Sequence, residues 1–182
     1  MKVTKTKIEG LLIIEPDIYK DGRGYFFESF NKNKCAEIGI TEKFVQDNQS
    51  CSKKGTIRGL HYQIGDFLQG KLVRVVSGKA IDYAIDIRYG SPTFGEFVAV
   101  ELSADNQKQF WIPVGFAHGF EVLEESTILQ YKCTNYYSKQ HERGIIYNDP
   151  NININWKSKK KLISEKDKEN IKLENIEKDF FL

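Results

Sequence analysis

Two short segments of the chain combine a histidine with glycines in apolar surroundings. One spans residues 55–63 and contains Arg58 and His61, and the other spans residues 115–120 and contains His118. Histidine has an ordinary pKa of about 6.5, close to neutral pH, and glycine lets a ligand or a second backbone approach closely. The two segments therefore suit proton transfer. For each segment taken alone, a hydrogen-bonded core histidine is the structural alternative.

The composition is that of a single globular domain. The chain has 182 residues and a net charge of +2, from 27 basic and 25 acidic side chains, and this balance lacks the basic excess of a nucleic-acid-binding protein. No apolar run is long enough to span a membrane, and residues 1–5 lack the apolar stretch of a signal peptide. The three cysteines have no metal-binding or redox spacing. We expect one cytoplasmic domain, 1–182, with reduced thiols and no nucleic-acid or membrane partner.

Many short strand-like runs separated by turn signals favour a β-sandwich or a small barrel. Examples are residues 11–14, the aromatic run 25–30, residues 94–102 and residues 127–133. Residues 72–76 and 80–88, joined by Ser-Gly-Lys, form the pattern of a β-hairpin.

Two helical segments are predicted. Asn31 can cap a short helix that runs to Ile38 and stops at Gly39. Near the C-terminus, Ser164 and Asp167 have the spacing of a capping box. Apolar residues at helical spacing follow it, so we expect a helical tail over about 164–182.

Several ionisable side chains lie within the strand-like runs, where an unpaired buried polar group would cost a few kcal/mol. Lys71 begins one strand, and Tyr131 shares the inward face of another with Leu129 and Cys133. Each has a structural explanation: an edge lysine with its amine in solvent, and a core tyrosine with a satisfied hydroxyl. Likewise, Asp82 and its neighbour Asp86 could line a solvent-facing side of their strand.

Taken in order along the chain, a series of motifs resembles the dTDP-4-dehydrorhamnose 3,5-epimerase family, which acts on dTDP-4-keto-6-deoxyglucose in dTDP-L-rhamnose biosynthesis. Each motif alone is weak, whereas the ordered set covers nearly the whole sequence. The matching segments are residues 21–26, 44–48, 58–63, 69–75, 91–95, 111–120, 131–134, 141–143, 148–150 and 162–167.

The resemblance implies a mainly all-β fold, a cupin-type jelly-roll β-barrel with a short N-terminal helix and a small C-terminal helical segment. It also implies a homodimer in which N-terminal strands, about residues 1–50, cross to the partner. Most cupins bind a metal through clustered histidines, whereas this sequence has no His-x-His pair and the family is metal-free. We therefore expect no metal and no cofactor.

The resemblance also assigns catalytic roles. His61 would be the base that removes protons next to a C4 ketone, and Asp167 would orient its ring. Lys71 would stabilise the enolate oxygen together with His118. Tyr131 would be the acid on the opposite face of the sugar.

The remaining matches imply contacts with a dTDP-sugar substrate. Asp82 would orient His118, Arg58 would bind the diphosphate, and Tyr137 would stack on the base. The residues implied to bind from within the same subunit also include Gln46, Asn48, Glu142 and Lys166. Those implied to come from the partner subunit are Arg23, Phe26 and Glu28.

The sequence is also compatible with other functions. A related sugar-nucleotide epimerase that inverts one centre, or a 3,4-ketoisomerase, could share the same base and acid. A non-catalytic sugar-nucleotide-binding cupin would not need all four catalytic groups, and a metal-dependent cupin oxygenase would need metal ligands. Residues 64–68 differ from the loop of many relatives, which leaves open the exact sugar and the balance between C3 and C5 inversion.

Overall fold

The computed structural model describes residues 1–181. Over these residues the chain forms thirteen β-strands, two short α-helices and two 3₁₀ helices. The strands are β1 (Lys2–Lys5), β2 (Leu12–Glu15), β3 (Tyr19–Asp21), β4 (Gly24–Phe26), β5 (Gln46–Ser52), β6 (Ile57–Gln63), β7 (Lys71–Ser77), β8 (Lys79–Asp86), β9 (Phe97–Ser103), β10 (Gln109–Ile112), β11 (Phe116–Val122), β12 (Thr127–Cys133) and β13 (Glu142–Gly144).

Two antiparallel sheets form the body of the protein. The six-stranded sheet has the order β1-β2-β10-β7-β12-β5, and the five-stranded sheet has the order β13-β6-β11-β8-β9. The main core packs side chains of both sheets against each other, among them Val73 and Leu129 from the first, and Ala84 and Val100 from the second. The prediction of a mainly all-β fold is confirmed, as two sheets that do not close into a barrel.

The predicted hairpin of residues 72–76 and 80–88 is wrong. β7 pairs with β10 and β12, whereas β8 pairs with β9 and β11. Gly78, with φ +78°, therefore carries the chain from one sheet to the other. Ser-Gly-Lys could form the turn of a hairpin or, as here, a crossover between two sheets. Which of the two forms depends on the strands that pair with β7 and with β8.

The helix α1 (Lys32–Glu37) covers the outer face of the six-stranded sheet. The Asn31 side chain accepts hydrogen bonds from the first-turn N–H groups, and Gly39 ends the helix at φ +90°, as predicted. Cys35 on this helix packs with Leu72 and Trp111 of the sheet.

The C-terminal segment covers the outer face of the five-stranded sheet. Trp156, Leu173 and Phe180 pack there with Tyr83 and Ile85. The predicted C-terminal helical segment is present but shorter than the expected tail over 164–182. It consists of α2 (Glu165–Lys168) and a 3₁₀ helix (Leu173–Asn175). Ile171 and Phe181 instead form isolated β-bridges, with Ile145 and Tyr89, and Phe180 packs on the sheet.

The N-terminal region has two parts. β1 and β2 join the chain's own six-stranded sheet through β10, whereas β3 and β4 form a separate two-stranded sheet. The aromatic run 25–30 is a strand only at its beginning, in β4. Tyr19, Tyr25 and Phe26 of this hairpin are exposed. Within residues 1–181, no helix is long and apolar enough to cross a membrane.

Candidate active site

A cavity of about 440 Å³ opens between strands of the two sheets. β5, β7 and β12 line it from the six-stranded sheet, and β6 and β11 line it from the five-stranded sheet. Its lining side chains are Gln46, Asn48, Arg58, His61, Tyr62, Gln63, Gln69, Lys71, His118, Phe120, Tyr131, Tyr137, Glu142, Ser164, Lys166 and Asp167.

His61 and Asp167 form a hydrogen-bonded pair in this cavity. The Nε2 atom of His61 lies 2.7 Å from Oδ1 of Asp167, and the other carboxylate oxygen accepts the Gly59 N–H at 3.4 Å. Burial alone would raise the pKa of Asp167, but the bond and charge of His61 outweigh it and lower that pKa. A neutral ring that donates from Nε2 keeps a free lone pair on Nδ1, which can accept a proton.

Asp167 is positioned by the cap of α2. The Ser164 hydroxyl accepts the backbone N–H of Asp167 at 3.1 Å, as the capping-box spacing predicted. Ser164 therefore fixes the main chain of Asp167, while His61 and Gly59 fix its carboxylate.

His118 on β11 and Asp82 on β8 form a second histidine–aspartate pair. His118 is directly opposite His61 in the β6–β11 pairing, and its Nε2 atom lies 2.9 Å from Oδ2 of Asp82. Both side chains are buried; burial lowers the pKa of His118 and raises that of Asp82. The alternative that Asp82 and Asp86 line a solvent face is wrong, because both are 0% exposed.

Gly59 allows β6 and β11 to meet closely at this point. A Cβ atom on Gly59 would lie 2.5 Å from the Cα of Gly119, and Gly59 has φ +129°. A side chain there would push apart the strands that carry His61 and His118.

Lys71 is a buried side chain rather than an edge lysine in solvent. It is 8% exposed, and its ammonium lies 3.5 Å from the His61 carbonyl oxygen. Burial lowers the pKa of Lys71, while the charges of Asp82 and Glu142 favour the protonated form.

Tyr131 enters the cavity from β12 on the opposite sheet. Its ring lies edge-on to His118, with 6.1 Å between ring centroids. Burial raises the pKa of Tyr131 to about 12, so the hydroxyl keeps its proton at neutral pH. Leu129 and Cys133 are fully buried on the same side of the strand, as the alternation predicted.

The residues matched to nucleotide contacts line the outer part of the cavity. Arg58 donates to the Ser52 hydroxyl, and Gln46 donates to Asn48. Glu142 accepts from the Tyr137 hydroxyl at 2.8 Å and forms a salt bridge with Lys166. Glu142 and Lys166 are thus paired with each other in the cavity lining.

Three matched residues lie outside the cavity in a single chain. Arg23 is on the β3–β4 turn and pairs with Asp21, Phe26 is 67% exposed, and Glu28 pairs with Lys34 near α1. Their predicted contacts are with the site of a partner subunit, and these stay predictions.

Sequence reasoning did not assign roles to Gln63, Gln69 and Phe120, although all three line the cavity. Each lies within a matching motif, which was the available signal. Among residues 1–181, no three His, Cys, Asp or Glu side chains are grouped as a metal site would require.

Comparison with known proteins identifies the family. The family model described as dTDP-4-dehydrorhamnose 3,5-epimerase matches residues 5–175. The chain belongs to this family. It is therefore an isomerase, and the dTDP-4-dehydrorhamnose 3,5-epimerase of Shigella flexneri is 50% identical to it over 100% of both chains.

Solved structures show the same fold. The dTDP-6-deoxy-D-glucose-3,5-epimerase of Legionella pneumophila Philadelphia 1, in complex with dTDP-4-keto-L-rhamnose, is 50% identical with a TM-score of 0.94, covering 97% of this chain and 94% of that one. A 3'-monoepimerase from Streptomyces bikiniensis, in complex with dTDP-quinovose, is 29% identical with a TM-score of 0.88, covering 93% and 86%. The cupin-type fold predicted for the family is confirmed.

Proposed function

We propose that the protein inverts C3 and C5 of dTDP-4-keto-6-deoxy-D-glucose and yields dTDP-4-keto-L-rhamnose. The observation that carries the proposal is that a histidine–aspartate pair and a protonated tyrosine enter one cavity from opposite sheets. His61 comes from β6 and Tyr131 from β12. Inversion needs one group to take a proton from one face and another to return a proton to the other face.

The base of the reaction is His61. The hydrogens at C3 and C5 lie next to the C4 ketone, so their removal leaves an enolate with its charge on the C4 oxygen. The Nδ1 atom of His61 takes the proton, and the Asp167 carboxylate stabilises the imidazolium that forms. Asp167 keeps its own charge, consistent with its lowered pKa.

The enolate oxygen is stabilised by Lys71, with His118 as a second donor. Preorganised charge of this kind contributes about 3–4 kcal/mol for a single donor. Lys71 is held in a buried position beside the strand of the base, so its charge is little screened by water. Asp82 orients the His118 ring. Its raised pKa favours a protonated carboxyl that donates to Nε2 of His118, which leaves the ring proton on Nδ1, where it can donate to the enolate oxygen.

Tyr131 supplies the proton on the opposite face. With a pKa of about 12, it stays protonated until the strongly basic enolate carbon accepts its proton. Protonation from this side inverts the carbon, and solvent then reprotonates the tyrosinate.

The nucleotide binds at the outer part of the cavity. Arg58 pairs with the diphosphate, Tyr137 stacks on the base, and Gln46 and Asn48 contact the deoxyribose and thymine region. In a cytoplasmic homodimer, the exposed β3–β4 hairpin of the partner subunit completes the site. That hairpin and the residues after it carry the remaining matched contacts, which are Arg23, Phe26 and Glu28.

The test is incubation of the purified protein with dTDP-4-keto-6-deoxy-D-glucose in D2O, followed by NMR at each sugar carbon. We expect deuterium at C3 and C5 and inversion at both. The fold likeness to a 3'-monoepimerase favours a second candidate, a single-centre epimerase. Deuterium and inversion at one carbon would select that candidate, and no exchange at either carbon would contradict both.

A further inference from the structure

Two loops meet beside the cavity, which Gln69 lines from the first and Tyr137 from the second. One follows β6 and contains a 3₁₀ helix (Gly65–Phe67), and the other, residues 134–138, follows β12 and carries Tyr137. The loops are far apart in sequence, and side-chain amides join them. We call these cross-links the rim clasp, made by Gln63, Gln69 and Asn135.

Gln63 is the centre of the rim clasp. Its Nε2 atom donates to the Phe67 carbonyl at 3.2 Å and to the Tyr136 carbonyl at 3.1 Å. Its Oε1 atom accepts the Ser138 N–H at 2.8 Å. Gln63 is only 5% exposed, so both amide hydrogens and the amide oxygen are used on main-chain groups of the two loops.

The other two amides add to the same connection. Gln69 donates to the Asn135 carbonyl at 2.7 Å, and Asn135 donates to the Asp66 carbonyl at 2.8 Å. His141 forms a further connection between the two loops. The Ser138 hydroxyl lies 2.8 Å from its Nδ1 atom, and its imidazole stacks on Phe67 with 4.5 Å between ring centroids.

Tyr137 lies between the residues that the clasp holds. Its neighbours Tyr136 and Ser138 are both bonded to Gln63, while its own N–H donates to Gln46 at 3.0 Å. The Tyr137 side chain is half exposed, and its direction is set by the main chain on either side together with the hydrogen bond from its hydroxyl to Glu142.

We propose that Gln63 is a positioning residue that sets the affinity of the site for the nucleotide end of the substrate. It acts by fixing the main chain around Tyr137, and it takes no part in proton transfer because its amide atoms are committed to the two loops. The inference rests on the proposed stacking of Tyr137 on the base. Preorganising such a loop before binding lowers the ordering cost of association.

The test compares Gln63→Glu and the neutral, similarly shaped Gln63→Met with Gln140→Glu. Gln140 is exposed and lies two residues after the 134–138 loop, so Gln140→Glu controls for the added charge. For both Gln63 variants we expect the dTDP dissociation constant and the substrate KM to rise by about 10-fold or more, the scale of one or two lost hydrogen bonds. The value of kcat should change by less than about 3-fold, and Gln140→Glu should match the parent.

Hydrogen exchange supplies a measurement that does not depend on catalysis. The Ser138 amide, bonded to Oε1 of Gln63, should exchange faster in Gln63→Met than in the parent. A fall in kcat with KM unchanged, or unchanged exchange together with unchanged dTDP affinity, would overturn the proposal. If the parent lacked epimerase activity, the proposed function would fail while exchange and dTDP affinity still tested the clasp.

Discussion

Replacing Asp167 with asparagine tests the orientation of the proposed base. The side chain keeps its size, but one oxygen becomes an NH2 group. Asp167 uses one oxygen for Nε2 of His61 at 2.7 Å and the other for the Gly59 N–H at 3.4 Å. Asparagine cannot accept at both positions, so two orientations compete.

In one orientation the asparagine oxygen faces His61 and the Gly59 N–H is left unpaired. The imidazole keeps the proton on Nε2, but a charged hydrogen bond becomes neutral, a loss of about 1–1.5 kcal/mol or roughly 10-fold in rate. In the other orientation the oxygen accepts from Gly59 and the NH2 group donates to Nε2. The ring must then carry its proton on Nδ1 and cannot act as the base.

Leaving the buried Gly59 N–H unpaired costs about 1–3 kcal/mol, so the competent orientation is populated to roughly 1–15%. Combined with the weaker hydrogen bond, kcat for exchange at C3 and C5 should fall by about 50- to 1,000-fold. NMR in D2O measures this rate, and dTDP affinity checks that the fold is intact. Exchange within about 3-fold of the parent rate, with normal dTDP binding, would refute this role of Asp167.

The same substitution has a pH signature in stability. The lowered pKa of Asp167 contributes stability that is present above its unfolded value, about 3.9, and is lost as pH falls through the folded value. The difference in unfolding free energy between parent and Asp167→Asn should therefore shrink below about pH 4.

Two further predictions concern the acid and the subunit interface. Tyr131→Phe should still exchange substrate protons through His61 but lose about 100-fold in epimerised product, with deuterium in recovered starting material; inversion of both centres at the parent rate would assign the acid elsewhere. Mixing inactive His61→Asn subunits with inactive Arg23→Ala subunits should restore about one quarter of parent activity, because half the dimers would then hold one complete site. No recovery after verified subunit exchange would contradict a shared site.

The elements that sequence predicted best are those set by local chemistry. The cap at Asn31 and the glycine stop define α1, and Ser164 begins α2. Alternation placed Tyr131 inward because its neighbours on the same face are apolar. In each case the deciding contact lies within a few residues.

Where long-range pairing decides, local patterns failed. Residues on either side of Gly78 look like a hairpin, but their hydrogen-bonding partners come from strands elsewhere in the chain. The buried state of Asp82 depends on His118, 36 residues away. No sequence pattern predicted the contacts of Gln63, because its amide bonds to main-chain groups and these occur at every residue.

The two sheets carry opposite halves of the proposed chemistry, since His61 and His118 lie on one and Tyr131 and Lys71 on the other. The packing between the sheets, which typically sets them about 10 Å apart, thus determines the distance between base and acid. Leu129, fully buried next to Tyr131 on β12, is part of that packing. Stereochemical outcome is consequently a property of the hydrophobic core as well as of the polar groups. A change of core volume can alter the ratio between reprotonation on the original face and inversion at the carbon. It can do so without replacing any group that transfers a proton.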